Sequence, residues 1–443
     1  MKIGNSIEVS KSELDVFRTP FTQTSIEDAQ YDDIQAHASF MTSNIIRFDI
    51  PGESAHYLNL AETELHVVGT ISLKKKLESG FSATASVGPV NNFLHSLISQ
   101  VNISINNKPV EIDNNSYPFR SYIENLLSYN KLEKVSALAG EIFSKDDSNL
   151  FNSIALKATT ANKSTNTAEI LVNNGFLERR KKFLENKSVQ MQGKLHCDLF
   201  NLEHFMVSSV SLTISLTKSA PSFYLMGSDA EQYIFNYEEC FLRVKRQTIS
   251  ASVMAAHATI SEEATFKYPL KRVIIKPFVI PSSSTKFNIS PICKGIMPRR
   301  VICCFLETTA YDGDASHNPF YFENFGLTSI ILKLNSQAVP HTGLKMNFSQ
   351  DRYLDGYRSV SKICRDLDIT YEEYKGGYAF YCFDLNPDIS SSEHYSLLKD
   401  GSLDLEITRE KATSNSITLL VYTENDNILE INRIREPTFD YQI

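Results

Sequence analysis

Tryptophan is absent from the 443 residues, although Phe (27) and Tyr (20) are plentiful. Sugar-binding grooves on β-sandwiches commonly present exposed aromatics, Trp above all, so this absence counts against a glycan-binding or glycan-processing protein. Cysteine pairing is missing too. Cys197, Cys240, Cys293, Cys303, Cys304, Cys364 and Cys382 form no C-x-x-C unit. An odd, unpatterned set gives neither a disulfide framework nor a zinc ribbon, and fits reduced, buried thiols in an intracellular compartment. Cys303 and Cys304 are adjacent, so in a strand they face opposite sides.

Long apolar runs are also lacking. Nothing approaches the roughly 20 apolar residues of a membrane span. The N-terminal MKIGNSIEVSKSELDVF has no apolar core and does not read as a secretion signal. The N-x-S/T sequons at Asn102, Asn162 and Asn288 are accordingly read as chance matches. A basic balance is absent: the formal net charge is −8, which excludes a dominant electrostatic footprint for nucleic acid.

Catalytic signatures are missing as well. There is no G-x-x-x-x-G-K-[ST], no H-E-x-x-H and no G-x-S-x-G. The ten histidines are dispersed, with no pair at ligand spacing beside a carboxylate. Asp384 and Asp388 in FDLNPD read as a strand end followed by an Asx/Pro turn rather than an acid pair. Asp426 and Glu430 lack the glycine and dense oxygen ligands of a calcium loop. No catalytic, cofactor-binding or metal-ligating set is assigned, and the reading is of a protein that is not an enzyme.

What is present is short-range alternation. Leu65, Val67, Ile71 and Leu73 share one face, with Glu64, His66, Thr70 and Ser72 on the other. Val101, Ile103 and Ile105 alternate with Asn102, Ser104 and Asn106, and the pair Asn106-Asn107 then predicts a turn before Val110 and Ile112. Val210 to Thr217 alternates strictly over eight residues. Period two means strands with one face buried. Ile45–Ile50, Phe241–Lys245, Val273–Ile275, Val301–Phe305, Ile330–Leu334, Leu403–Ile407 and Ile417–Val421 also read as short strands. Helical spacing is confined to Pro118–Tyr129, Lys131–Phe143, Phe176–Glu185 and Ala251–Ile260. Many short strands without alternating helices predict an all-β sandwich architecture, not a βαβ sheet.

A chain of this length exceeds what one core usually serves, so two β domains are expected. The predicted division is an N-terminal arm at 1–40, a first β domain at 41–228 and a second with the C-terminal tail at 229–443. Residues 145–173, rich in Ser, Thr, Asn and Lys, read as a long surface loop. The run Arg179-Arg180-Lys181-Lys182 reads as the solvated face of a short helix, and Lys74-Lys75-Lys76 as a strand leaving its sheet. Phe320, Tyr321, Phe322 and Phe325 lack interleaved Arg or Lys, so packing or a subunit contact is expected rather than base stacking.

Several segments, in order, resemble one family. They include GPVNNFLHSLISQVNISINNKPV (Gly88 to Val110), NNSYPFRSYIENLLSY (Asn114 to Tyr129), NNGFLERR (Asn173 to Arg180), MQGKLHCDLFN (Met191 to Asn201) and SFYLM (Ser222 to Met226). MPRRV (Met297 to Val301), NPFYFENFG (Asn318 to Gly326), GGYAFYCFDLNPD (Gly376 to Asp388) and NDNILEI (Asn425 to Ile431) follow. Together they resemble the major capsid protein (hexon) of Polinton/Maverick elements and adintoviruses. The likeness runs from Ile45 to the C-terminus. It departs at Ile296-Met297-Pro298-Arg299-Arg300, where the family usually shows Leu-Pro-Lys/Arg, and at Cys303-Cys304.

The resemblance implies two tandem eight-stranded jelly rolls, with short helices in the connections. It also implies a homotrimer forming a pseudo-hexagonal capsomer, which tiles an icosahedral shell around a double-stranded DNA genome. The implied partners are other copies of the chain, neighbouring capsomers and penton or minor capsid proteins. No small molecule, cofactor or sequence-specific nucleic acid is implied. The implied location is the virion, after synthesis in the host cytoplasm, with assembly there or in the nucleus. The alternatives are a capsid protein of virophage or large-DNA-virus type, or a β-sandwich carbohydrate-binding protein.

Overall fold

A computed structural model describes residues 11–17, 19–74, 76–80, 85–158, 170–364, 366–386 and 395–439. The strands in chain order begin with β1 (Ile26–Gln35), β2 (Ile45–Ile50), β3 (His56–Leu73), β4 (Lys76–Gly80), β5 (Val87–Pro89) and β6 (Ile98–Ile105). Next come β7 (Lys108–Ile112), β8 (Val189–Lys194), β9 (Leu212–Lys218), β10 (Leu225–Gly227) and β11 (Tyr233–Ile249). After the Ala251–Ile260 helix follow β12 (Phe266–Ile280), β13 (Lys286–Ile296), β14 (Arg300–Glu307), β15 (Leu327–Leu334) and β16 (Gln337–Lys345). The last are β17 (Phe380–Asp384), β18 (Asp400–Arg409), β19 (Ile417–Ile431) and β20 (Pro437–Phe439).

Pairing divides the long strands into two sandwiches of the same topology. The first has sheets β1-β11-β3-β8 and β2-β9-β6-β7; the second has β12-β19-β14-β17 and β13-β18-β15-β16. When the eight main strands of each half are counted in chain order, both halves give one sheet 1-8-3-6 and the other 2-7-4-5. That interleaving is a jelly roll. β5 pairs with β10 in a separate ribbon, while β4 and β20 extend β3 and β19.

The expected strands are found where alternation is strong. Leu65, Val67 and Ile71 face Val101, Ile103, Ile105, Leu212, Ile214 and Leu216 within the first core, each 2 % exposed or less. In β14 the whole run Val301 to Leu306 is buried, which hides its alternation: both faces are covered, and Cys303 and Cys304 are each 0 % exposed. All seven cysteines are unpaired. Prolines within the main strands fall at sheet edges: Pro109 in β7, Pro269 and Pro277 in β12, Pro291 in β13 and Pro340 in β16. Proline lacks the N–H that an interior strand must donate.

The two halves also share a turn. Between the fourth and fifth main strands of each lie two residues in the left-handed region, Asn106 (φ 46°) and Asn107 (φ 65°) in one, Asn335 (φ 49°) and Ser336 (φ 69°) in the other. Such a two-residue turn matches the twist of a hairpin, and Asn tolerates its positive φ.

Three expectations need correction. The break between sandwiches falls at the Ala251–Ile260 helix rather than at 228/229, because β11 pairs with both β1 and β3. The segment 1–40 is not wholly an arm: Ile26–Gln35 is the first strand of the first jelly roll, in register with Phe241–Ile249. Its exposed outer residues conceal it, since an edge strand over a covered sheet shows little alternation. The segment 145–173 is not simply a surface loop, because Asp146 is 2 % exposed and Phe151 0 %; residues 159–169 lie outside the described residues. Two helices, Leu354–Ile363 and Tyr371–Lys375, were not anticipated.

Candidate functional site: the seam between the two sandwiches

Successive main strands run end to end, so their connections alternate between the two ends of each jelly roll. The two longest in each half, after the third and fifth main strands, therefore gather at one end. In the first jelly roll they carry helices Phe93–Ser96 and Tyr117–Ser128, and the turns around Asp146 and Phe151. In the second they carry Phe320, Phe322 and Tyr378. These loops pack together and join the sandwiches.

The joint has an aromatic part. Tyr122 stacks on Phe320 with centroids 4.2 Å apart, Phe119 stacks on Tyr311 at 5.3 Å, and Phe151 stacks on Tyr321 at 4.8 Å. Phe320 and Phe322 are completely buried. The cluster expected to pack does so, within one chain, by docking the second jelly roll on the first.

The joint also has a polar part. Arg179 Nη2 pairs with Asp146 Oδ1 at 2.7 Å, both side chains fully buried. Arg179 also donates to the carbonyls of Pro89 (3.1 Å) and Ser144 (2.5 Å). The second sandwich reaches the same residue: Tyr378 OH donates to the Asp146 carbonyl at 2.6 Å, and Asn318 Nδ2 to Asp146 Oδ2 at 3.4 Å. Lys145 crosses to Glu373 at 3.0 Å. This overturns the solvated reading of the Arg179–Lys182 run, because Arg179 is 0 % and Arg180 5 % exposed. Four consecutive cations look like a wet face, but on the Asn174–Lys182 helix the first two turn inward to carbonyl acceptors.

A second charged set lies beside it. Arg120 donates to Glu111 (2.9 Å), Glu124 (2.9 Å) and Asp198 (2.7 Å). Asp198 Oδ1 also accepts from the Val273 amide of the second sandwich at 3.2 Å. Burial, with Asp198 beside it, pushes the Glu111 carboxyl up to about 8. Burial would raise Glu124 too, but Arg120 and His196 outweigh it and hold that carboxyl near 2. Burial raises the Asp198 carboxyl too, so the Glu111–Asp198 pair favours holding a proton, which limits the uncompensated charge that burial would penalise.

Next to Glu124 a cleft of about 810 Å³ opens between the sandwiches, bordered by His196, His204, Lys271, Arg300, Tyr422 and Glu424. Asp384 lies at the end of β17, and Asp388 lies outside the described residues. Asp426 and Glu430 share one face of β19, opposite Lys271 and Lys267 of β12. What the sequence did not reveal is that His95, Glu141 and His196 converge, with ligand atoms within 4.8 Å of one another. They are 46 and 55 residues apart, and only the packing of three connections brings them together.

No protein-family profile matches the chain. A Caenorhabditis elegans protein, "Uncharacterized protein F54H12.2", is 21% identical over 440 residues, covering 95% of this chain and 99% of that protein. Among solved structures, a chain of the Sputnik virophage particle superposes with a TM-score of 0.62 at 11% identity, covering 99% of this chain and 94% of that one. The mavirus major capsid protein superposes with a TM-score of 0.53 at 12% identity, covering 99% and 96%. The chain has the double jelly-roll fold. At these identities the likeness is one of architecture, and it extends over both jelly rolls of the capsid proteins. Among the described residues no helix is long and apolar enough to cross a membrane.

Proposed function

We propose that this chain is a viral major capsid protein whose three copies form a pseudo-hexagonal capsomer. The observation that carries this reading is the repeated 1-8-3-6/2-7-4-5 topology of two sandwiches locked by a joint with a buried aromatic and ionic centre. A rigid chain with two equivalent sandwiches presents six around a threefold axis, and six sandwiches approximate a hexagon that tiles a flat facet. Full-length likeness to virophage and mavirus structures supports the same reading.

Unpartnered apolar side chains support a subunit role. Leu14, Val16, Phe17 and Phe21 are 73–106 % exposed along the N-terminal segment, and Leu132 and Val135 are 81 % and 74 % exposed on one short helix. Obligate interfaces bury on the order of 2,000 Å² or more and cover such residues. The proposal extends to a shell around double-stranded DNA, to penton or minor capsid partners, to residence in the virion, and to a non-enzymatic role. The Polinton/adintovirus lineage rests on the Asn318–Gly326 and Asn425–Ile431 segments.

Light scattering after size exclusion tests the reading. A species of about 150 kDa, three times 50.0 kDa, followed by pseudo-hexagonal particles in electron micrographs, is the expected result. A chain that remains monomeric at high concentration, alone and with co-expressed penton proteins, overturns it.

A further inference from the structure

His95, Glu141 and His196 come from three separate elements: the Phe93–Ser96 helix, the Ala137–Glu141 turn and the residue pair after β8. His95 is 0 % exposed. Its Nε2 lies 3.2 Å from Glu141 Oε2, within ion-pair reach, but the contact is poorly aligned for a hydrogen bond and nothing else meets the nitrogen. A buried imidazole nitrogen in that condition points to a missing ligand.

Each of the three side chains has a further polar partner that orients it, as metal ligands do. His95 Nδ1 meets Tyr117 OH at 2.9 Å, His196 Nδ1 meets Glu124 Oε2 at 2.7 Å, and Glu141 Oε2 accepts from Asn125 Nδ2 at 2.7 Å. The Glu124 contact fixes the proton of His196 on Nδ1 and leaves the Nε2 lone pair free. Gly193 makes room for the carboxylate: a Cβ there would stand 2.7 Å from Glu141 Cγ and Oε1. The His95 and His196 rings meet edge to face at 4.8 Å. A side chain is missing from the strand at the one place where Glu141 must lie.

We propose that His95 Nε2, His196 Nε2 and the Glu141 carboxylate bind one divalent transition-metal ion, zinc by its donor set. Two imidazoles and a carboxylate suit Zn²⁺, with water from the adjoining cleft in the fourth position. Zinc ligands sit at roughly 2.0–2.2 Å, so His95 and Glu141 already stand at about a tetrahedral ligand separation and His196 closes toward them by about 1 Å on binding. The ion ties the connections after the third and fifth main strands to β8, and so stiffens the seam from within. This inference does not depend on the capsid reading.

The test uses the full chain, stripped with a chelator and dialysed, then given one equivalent of Zn²⁺ or Co²⁺. Expected are one bound zinc per chain by elemental mass spectrometry, the visible absorption of low-coordinate cobalt, and a melting temperature that rises by several degrees with zinc and falls with chelator. His196→Gln, at the cleft edge, retains its circular dichroism while losing the absorption and the thermal response. Glu124→Gln weakens zinc binding about tenfold or more. Zinc that fails to bind the stripped wild type at micromolar concentration, or that shifts His196→Gln equally, overturns the proposal. If His196→Gln does not fold, the wild-type stoichiometry and the chelator-reversible shift still decide.

Discussion

Asn106 and Asn335 occupy equivalent places in the two jelly rolls and make the same bonds. Each sits at positive φ in the turn between the fourth and fifth main strands. Asn106 Oδ1 accepts from the Ser211 amide at 2.9 Å, and Asn335 Oδ1 accepts from the Ser402 amide at 2.9 Å. The reciprocal bonds, Asn106 N to Ser211 O and Asn335 N to Ser402 O, are 3.0 and 2.9 Å. The turn is thus pinned to the seventh-strand neighbour in both halves. Replacing either Asn by Ala removes the acceptor and strains the turn, and should cost about 1–2 kcal/mol by chemical denaturation. Gly, which keeps the backbone freedom, should cost less.

Asp146→Ala should be the more damaging change. It leaves the fully buried Arg179 without its counter-charge, an effect of about 3–5 kcal/mol. Asn318 loses an acceptor as well, so faster proteolysis between the sandwiches should accompany the loss of stability. The double replacement Asp146→Leu with Arg179→Met should recover much of it, because no charge is then stranded.

Truncation separates the arm from the fold. A chain lacking residues 1–22 keeps β1 and should melt like wild type and still trimerise, while failing to assemble particles if the exposed Leu14, Val16, Phe17 and Phe21 grip neighbours. A chain lacking residues 1–35 loses the strand paired with Phe241–Ile249 and should be markedly less stable. Normal particle assembly by the shorter truncation would exclude the gripping role.

Glu323 should make stability depend on pH. Burial, with Glu307 nearby and His317 partly opposing, raises its carboxyl from 4.5 to about 7. A raised acid is neutral in both states at low pH. Between pH 4.5 and 7 the unfolded chain ionises first, so this group lowers stability as pH rises through that window, and the loss is constant above it. Glu323→Gln should therefore stabilise the protein at pH 8 by about 2 kcal/mol, the shift discounted for partial solvent contact, and change little at pH 4. Equal melting curves at both pH values would refute this.

The strands in which one face is buried were legible, because a period of two survives wherever a sheet separates core from solvent. Val210 to Thr217 and the Asn106-Asn107 turn are examples. β14 was legible as a strand at Val301–Phe305, but the covering of both its faces was not; β1 was missed, because it is nearly bare at an edge. The seam was harder still. The arginine run announced charge but not direction, and nothing local distinguishes a cation that will face carbonyls from one that will face water.

The sequence by itself determined the class of the fold: alternation and turn asparagines are local signals, each set by the geometry of a few residues. Only the tertiary structure decided how the halves interlock and which distant groups meet. Asp146 with Tyr378, Tyr122 with Phe320, and His95 with Glu141 and His196 are neighbours because long connections converge at one end of each jelly roll. Such contacts depend on three-dimensional packing across tens to hundreds of residues, and no periodicity along the chain records them.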